Sequence, residues 1–177
     1  MSPVPAGYRR LFIALPVPAG SGKRLNPHCD SSLEIRWIEA TNRHLTLAFL
    51  GHRTEEQTIR AIEVVNGLVA PPFELQLVCL QRFPDERGRN IVAIPAPCEP
   101  LMELQQQVAN LLTERGFTLK QRDFRPHITL GKFNRGQWSS INLNPPITMS
   151  VASVTLFQTE FIPNGILYHP LTSQQLV

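Results

Sequence analysis

Two short segments, His44-Leu45-Thr46-Leu47 and His127-Ile128-Thr129-Leu130, repeat one pattern about half the chain apart. The pattern suits a β-strand with one wet and one dry face. Successive strand side chains point to opposite sides, so His44 and Thr46 share a face while Leu45 and Leu47 take the other. The same parity groups His127 with Thr129 against Ile128 and Leu130. Each segment therefore holds an imidazole and a hydroxyl about 6–7 Å apart along the strand, above an apolar underside. A chain built on two such strands needs a sheet whose core lies on one side and whose other side stays open.

The flanking sequence repeats as well. Arg10-Leu11-Phe12-Ile13-Ala14-Leu15-Pro16 precedes the first motif, and Asn90-Ile91-Val92-Ala93-Ile94-Pro95 precedes the second. In each half a strand stopped by proline leads some three dozen residues later into the histidine strand. This reads as a duplication in which two similar lobes each supply one His/Thr strand to a shared groove. With 177 residues, 42% of them hydrophobic, the chain can bury a core, and residues 1–177 are expected to form a single bilobal domain.

Between these landmarks the periodicities alternate. Ala19 to Cys29 holds Gly20, Gly22 and Pro27 and encodes at most a short helix. The first motif strand is predicted over His44 to Leu50 and is closed by Gly51. Thr54-Glu55-Glu56-Gln57 is a capping box, and the helix it opens is predicted to reach about Val69, burying Ile59, Ile62, Val65 and Val69. Phe73, Leu75, Leu77 and Cys79 alternate as a strand; Pro84 to Arg89 reads as a turn and Asn90 to Ile94 as a strand. Pro100 opens a second helix with Leu101, Leu104, Val108, Leu111 and Leu112 inward and Gly116 as its stop. Asn134 to Pro146 reads as a loop, and Thr148 to Phe161 as one long strand that pairs across Pro163-Asn164-Gly165 with Ile166 to Leu171. The mixture indicates an α+β protein.

Composition narrows the partners. The chain carries 17 Lys plus Arg against 14 Asp plus Glu, a net charge of +3, and the cations gather near the motifs: Arg36 and Arg43 before the first, Lys120, Arg122, Arg125 and Lys132 around the second. Such placement attracts phosphates, although each residue alone equally suits a solvated surface. Cys29, Cys79 and Cys98 are odd in number and form no C-x-x-C pair, which points to reduced, buried thiols. The apolar run Leu11 to Leu15 is too short for a signal-peptide core, so a soluble cytoplasmic protein is expected. Neither motif histidine has an Asp, Glu or His at metal-ligand spacing; no metal and no cofactor are implied. A G-x-S-x-G, a P-loop and a G-x-G-x-x-G are all absent from the sequence.

Two imidazoles can serve attack at phosphorus as base and acid, because each changes charge near neutral pH. Threonine hydroxyls and a cation can hold the non-bridging oxygens as charge develops there. A strained cyclic phosphate fits best, since its ring needs only opening. The near symmetry of the two motifs leaves open which histidine is acid and which base.

R-L-F-I-A-L-P, then Arg36 to Gly51, then F-R-P-H-I-T-L-G-K over Phe124 to Lys132, then Leu156 to Leu171 resemble in order and spacing the bacterial RNA 2′,3′-cyclic phosphodiesterases, also called 2′-5′ RNA ligases. These belong to the two-histidine (2H) phosphoesterase superfamily. The resemblance covers almost the whole chain. It implies a bilobal fold with pseudo-twofold lobes, each with an antiparallel-rich sheet and helices outside, and an active-site groove between them. It also implies metal-independent hydrolysis of 2′,3′-cyclic phosphate RNA ends to 2′-phosphates, with a reversible 2′-5′ joining activity. His44 and His127 would then be the acid/base pair, and Thr46 and Thr129 the phosphate-binding hydroxyls. The partner would be an RNA or oligonucleotide carrying the cyclic end; no membrane is implied, and a monomer is expected.

Two departures stand out. Where the family commonly has arginine five residues after the second motif histidine, this chain has Lys132, which keeps the charge but loses the two-pronged donor. Alternation would also turn Lys132 away from His127 unless a bulge near Gly131 brings it round. The second departure is the weak segment between Ala19 and Cys29. Among the remaining residues, Trp37, Phe83 and Phe133 can stack a base, though core packing is the favoured reading. Arg43 and Arg125 sit beside the motif histidines, where they could touch substrate, but adjacent strand positions face away, and surface salt bridges suit them at least as well. His28, His52 and His169 read as structural. The competing reading is a module that binds RNA ends or nucleotides without turnover.

Overall fold

A computed structural model of the chain describes residues 4–29, 35–83, 89–120, 123–133, 138–163 and 165–177. Arg122, residues 84–88 of the expected turn, residues 134–137 and Asn164 lie outside that set. Its elements run β1 (Arg9–Pro16), α1 (Ala19–Leu25), β2 (Ile35–Trp37), β3 (His44–Arg53), α2 (Glu55–Asn66), β4 (Phe73–Arg82) and β5 (Asn90–Pro95). They continue with α3 (Glu99–Glu114), β6 (Ile128–Phe133), β7 (Ile141–Val151), β8 (Ser153–Ile162) and β9 (Gly165–Gln175).

The strands form one nine-stranded sheet in the order β7-β4-β5-β6-β3-β1-β8-β9, with β2 added along β6, and every pairing described is antiparallel. This is an α+β fold. The order is symmetric about its middle: β6 and β3, which follow or begin at the two motif histidines, stand side by side, flanked by β5 and β1. Strands β3 and β6 pair at Leu45 opposite Ile128, both fully buried. A continuous apolar cluster runs beneath both, joining Leu45, Leu47, Ile128 and Leu130 to Val64 and Val65 of α2 and Leu104 and Val108 of α3. The helices thus cover the apolar side of the motif strands, as parity requires, and leave the His/Thr side open.

Local signals set most boundaries. The Thr54 hydroxyl accepts from the Gln57 amide while the Gln57 side chain accepts from the Thr54 amide, closing the capping box. Pro100 occupies the first turn of α3, and Gly116, at φ 81°, follows its end in the left-handed region. The β8–β9 hairpin forms as expected and extends to Gln175.

Several expectations are corrected. Helix α2 stops at Asn66, and its buried stripe is Thr58, Ala61, Val64 and Val65; Ile59 and Val69 are exposed. The apolar spacing is compatible with two rotations of the helix, and packing on β8 and β9 selects the one with the smaller residues inward. In β4 a bulge between Leu77 and Cys79 switches the parity, so Leu80 rather than Cys79 faces the core. Strand β3 passes through Gly51, at φ 75°, and continues to Arg53. The expected loop before Pro146 is strand from Ile141 onward, and the single long strand is divided at Ala152 into β7, which pairs with β4, and β8, which pairs with β1 and β9. Prolines at 145 and 146 argue against a strand, but β7 is at the edge of the sheet, where a missing donor costs little. All three cysteines are free but half-buried rather than buried.

Candidate active site

Antiparallel continuity around the Leu45–Ile128 pair puts His44 across from Thr129 and Thr46 across from His127. All four polar side chains are on the sheet face opposite Leu45 and Ile128, with the two histidines on one diagonal and the two threonines on the other. Diagonal neighbours across such a pair are about 7–8 Å apart at the backbone, so two imidazoles can flank one phosphorus atom.

The rings are anchored alike. His44 Nδ1 lies 2.8 Å from the Asn42 carbonyl oxygen and His127 Nδ1 lies 2.7 Å from that of Arg125, in each case two residues upstream. A carbonyl only accepts, so Nδ1 donates and Nε2 carries the lone pair of each neutral ring. Both histidines are thereby held in one tautomer.

Their surroundings differ. The His44 ring centroid is 4.7 Å from Phe12, 5.0 Å edge-on from Tyr168 and 6.2 Å from Phe157. Burial among these rings pushes the His44 pKa below its usual 6.5; the Asn42 hydrogen bond opposes the shift, and the charge of His127 adds to it. Burial also raises the pKa of the Tyr168 hydroxyl, against the pull of Arg10. On the other side, Phe83 packs on His127 with centroids 4.2 Å apart.

Lys132 is exposed, and its strand does carry the bulge its position needs. Val92 of β5 pairs with Thr129 and Ile91 with Gly131, which leaves Leu130 as the extra residue and turns Lys132 to the Thr129 side. Lys132 is also the cross-strand partner of exposed Arg36, putting two cations side by side. Gly131 is required by the close approach of β2: a Cβ there would meet Ile35 Cγ2 at 2.7 Å and Trp37 Cε3 at 2.8 Å.

Other candidates separate. Arg43 is a buried clamp and not a surface salt-bridge partner: it donates to the carbonyls of Ile38 and Gly22 and to Asn26 Oδ1, fixing the segment that enters β3 at His44. A strand-parity argument sees only which way a side chain leaves, and here that side is covered by α1. Arg125 and Lys120 are exposed. Phe133 is buried with Ile35 and Ile91, and Trp37 packs edge-on against Trp138 at 5.9 Å. His169 bonds Glu160 at 2.6 Å at the surface. The sequence reading gives no site role to Phe12, Phe157 or Tyr168. For Phe12 the signal is available, since it alternates with Leu11 and Ile13 on β1 and so shares the open face. Among the described residues no three His, Cys, Asp or Glu side chains gather as metal ligands, and no helix is long and apolar enough to cross a membrane.

The family model of the 2′-5′ RNA ligase superfamily matches residues 26–160. An RNA 2′,3′-cyclic phosphodiesterase of Archaeoglobus fulgidus is 27% identical over 175 residues, covering 92% of this chain and 97% of its own. One from Thermotoga maritima is 25% identical over 174 residues and covers 92% of each chain. Among solved structures, LigT of E. coli complexed with 3′-AMP superposes with a TM-score of 0.83 at 25% identity, over 96% of this chain and 98% of that one. TT0787 of Thermus thermophilus shares the fold at a TM-score of 0.84 and 22% identity, over 94% and 97%.

Proposed function

The chain belongs to the 2′-5′ RNA ligase superfamily, and from that membership we propose that it is an RNA 2′,3′-cyclic phosphodiesterase. It opens terminal 2′,3′-cyclic phosphates to 2′-phosphates by paired-histidine catalysis. The observation that carries this reading is the matched anchoring of His44 and His127 through Nδ1 on one open face. One imidazole takes a proton from water at Nε2 while the water oxygen bonds to phosphorus. The P–O3′ bond breaks, and the partner imidazolium gives its Nε2 proton to the departing oxygen. Thr46 and Thr129 donate to the non-bridging oxygens, and Lys132 supplies positive charge at the same edge. Run in the same direction with an RNA 5′-hydroxyl in place of water, the same steps join a 2′-5′ linkage, and their reversal cleaves it. Residues 1–177 act as one unit around this site, as a monomer in the cytoplasm, a reducing setting that the three free cysteines suit.

Incubating the protein with an RNA ending in a 2′,3′-cyclic phosphate, in EDTA, and separating 2′- from 3′-phosphate products tests the reading. It predicts 2′-phosphate, with turnover lowered by about 10²–10⁴-fold in His44→Ala and in His127→Ala. Binding of the RNA without turnover would instead make the chain a non-catalytic end-binding module, and activity lost to the chelator would make it metal-dependent.

A further inference from the structure

The two motif histidines hang on peptides that are held in place by different means. Nδ1 of His127 bonds the carbonyl of the Arg125–Pro126 peptide, and Nδ1 of His44 bonds that of the Asn42–Arg43 peptide. Pro126 and Arg43 therefore stand at equivalent places, each one residue before its histidine. A proline ring fixes its own φ and biases the residue before it toward extended backbone, so covalent structure aims the Arg125 carbonyl. Arg43 has φ −75°, close to a proline's value, with no ring to lock it. Its side chain is in a position to do so. The guanidinium is buried, and Nε donates to the Ile38 carbonyl at 3.1 Å, Nη1 to the Gly22 carbonyl at 3.1 Å and to Asn26 Oδ1 at 2.8 Å, and Nη2 to Cys29 Sγ at 3.5 Å. Among the described residues no carboxylate pairs with it. The Arg43 amide bonds the Ala40 carbonyl, and because the N–H and C=O of a trans peptide point opposite ways, that bond leaves the Asn42 carbonyl facing His44. Ile38 in turn donates its amide to the Leu130 carbonyl of β6, so the clamp reaches both motif strands.

We propose that Arg43 is a positioning residue for His44: its buried guanidinium holds the Asn42 carbonyl on Nδ1, as Pro126 does for the carbonyl that meets His127, and so keeps the Nε2 lone pair aimed at the reacting phosphate. The inference rests on the cyclic-phosphodiesterase reading. An imidazole whose Nδ1 partner drifts can turn about its side-chain torsions, and its proton can move to Nε2. Either change takes the lone pair out of line with the reacting atoms. Loss of the clamp therefore disturbs one histidine and spares the other.

The test reads the imidazole nitrogens by ¹⁵N NMR, at a pH where both rings are neutral, in the wild-type protein, Arg43→Met and Arg43→Lys, beside kcat and KM for adenosine 2′,3′-cyclic phosphate. In Arg43→Met the His44 signals should move from the Nδ1–H tautomer to a mixture of tautomers while those of His127 stay in place. There kcat should fall about 10–100-fold with KM little changed, and Arg43→Lys should recover part of both losses. A His44 that keeps its Nδ1–H tautomer in Arg43→Met would overturn the proposal, and so would equal changes at the two histidines, which mark a general loosening. Should Arg43→Met fail to fold, Asn26→Ala, which removes one acceptor of the clamp at an exposed residue, decides by the same signals: a change confined to His44 supports the proposal and no change overturns it. Absence of turnover in the wild-type protein would sink the hydrolase reading separately, and the tautomer comparison would still decide what Arg43 does.

Discussion

His44 and His127 make the same hydrogen bond but have different surroundings. Phe12, Phe157 and Tyr168 strip water from the His44 ring, which favours its neutral form and moves its titration below 6.5. His44 therefore stays neutral at pH values where a free imidazole is half protonated, and takes its proton only in more acid solution. A bell-shaped profile of kcat/KM is therefore predicted with one limb below pH 6.5. Phe157→Ala, which readmits water, should move that limb upward. NMR titration of the His44 ring checks the cause; a midpoint at or above 6.5 in the wild-type protein would contradict it. At this scale the sequence already displays both histidines and both threonines, because repetition and parity are visible in letters. It does not display the aromatic box, whose members come from β1, β8 and β9 and meet only after the sheet is assembled.

Bulges are the element-scale device that shapes the candidate site. Without the extra residue Leu130, alternation would bury Lys132 or turn it from Thr129; without Leu47, Phe49 would leave the face of His44. Gly131 allows β2 to cross close over β6 at that point. Gly131→Ala is predicted to destabilise the protein by about 1–3 kcal/mol, because the methyl meets a branched carbon of Ile35 and the rigid Trp37 ring rather than a flexible chain end. Denaturant unfolding measures this; a change within about 0.5 kcal/mol would mean that β2 does not approach as described. The Lys132 bulge is legible in an odd offset and a glycine. The bulges at Leu47 of β3 and Val78 of β4 are not, since no glycine or proline marks either residue and only the partner strand's register creates them, whereas a second β3 bulge, at Leu50, adjoins Gly51. Helix starts are legible through the capping box and Pro100, whereas the buried face of α2 depends on which strands it meets.

At the level of the whole molecule, one sheet carries both His/Thr motifs, and the pairing of Leu45 with Ile128 sets them side by side. The duplication is readable from the paired strand-and-motif segments. The continuity of the sheet is not, because nothing in either half states its partner. In the proposed reaction the two imidazoles serve one phosphorus atom as a unit. The most direct measurement is a double-mutant cycle on kcat/KM for a nucleoside 2′,3′-cyclic phosphate, using His44→Ala, His127→Ala and both together. Groups acting in a single transition state are not additive, so the double variant is predicted to be no slower than the slower single one. Losses that multiply, reaching about 10⁴–10⁸-fold when each single loss is about 10²–10⁴-fold, would contradict it and assign the two histidines to separate steps or separate sites.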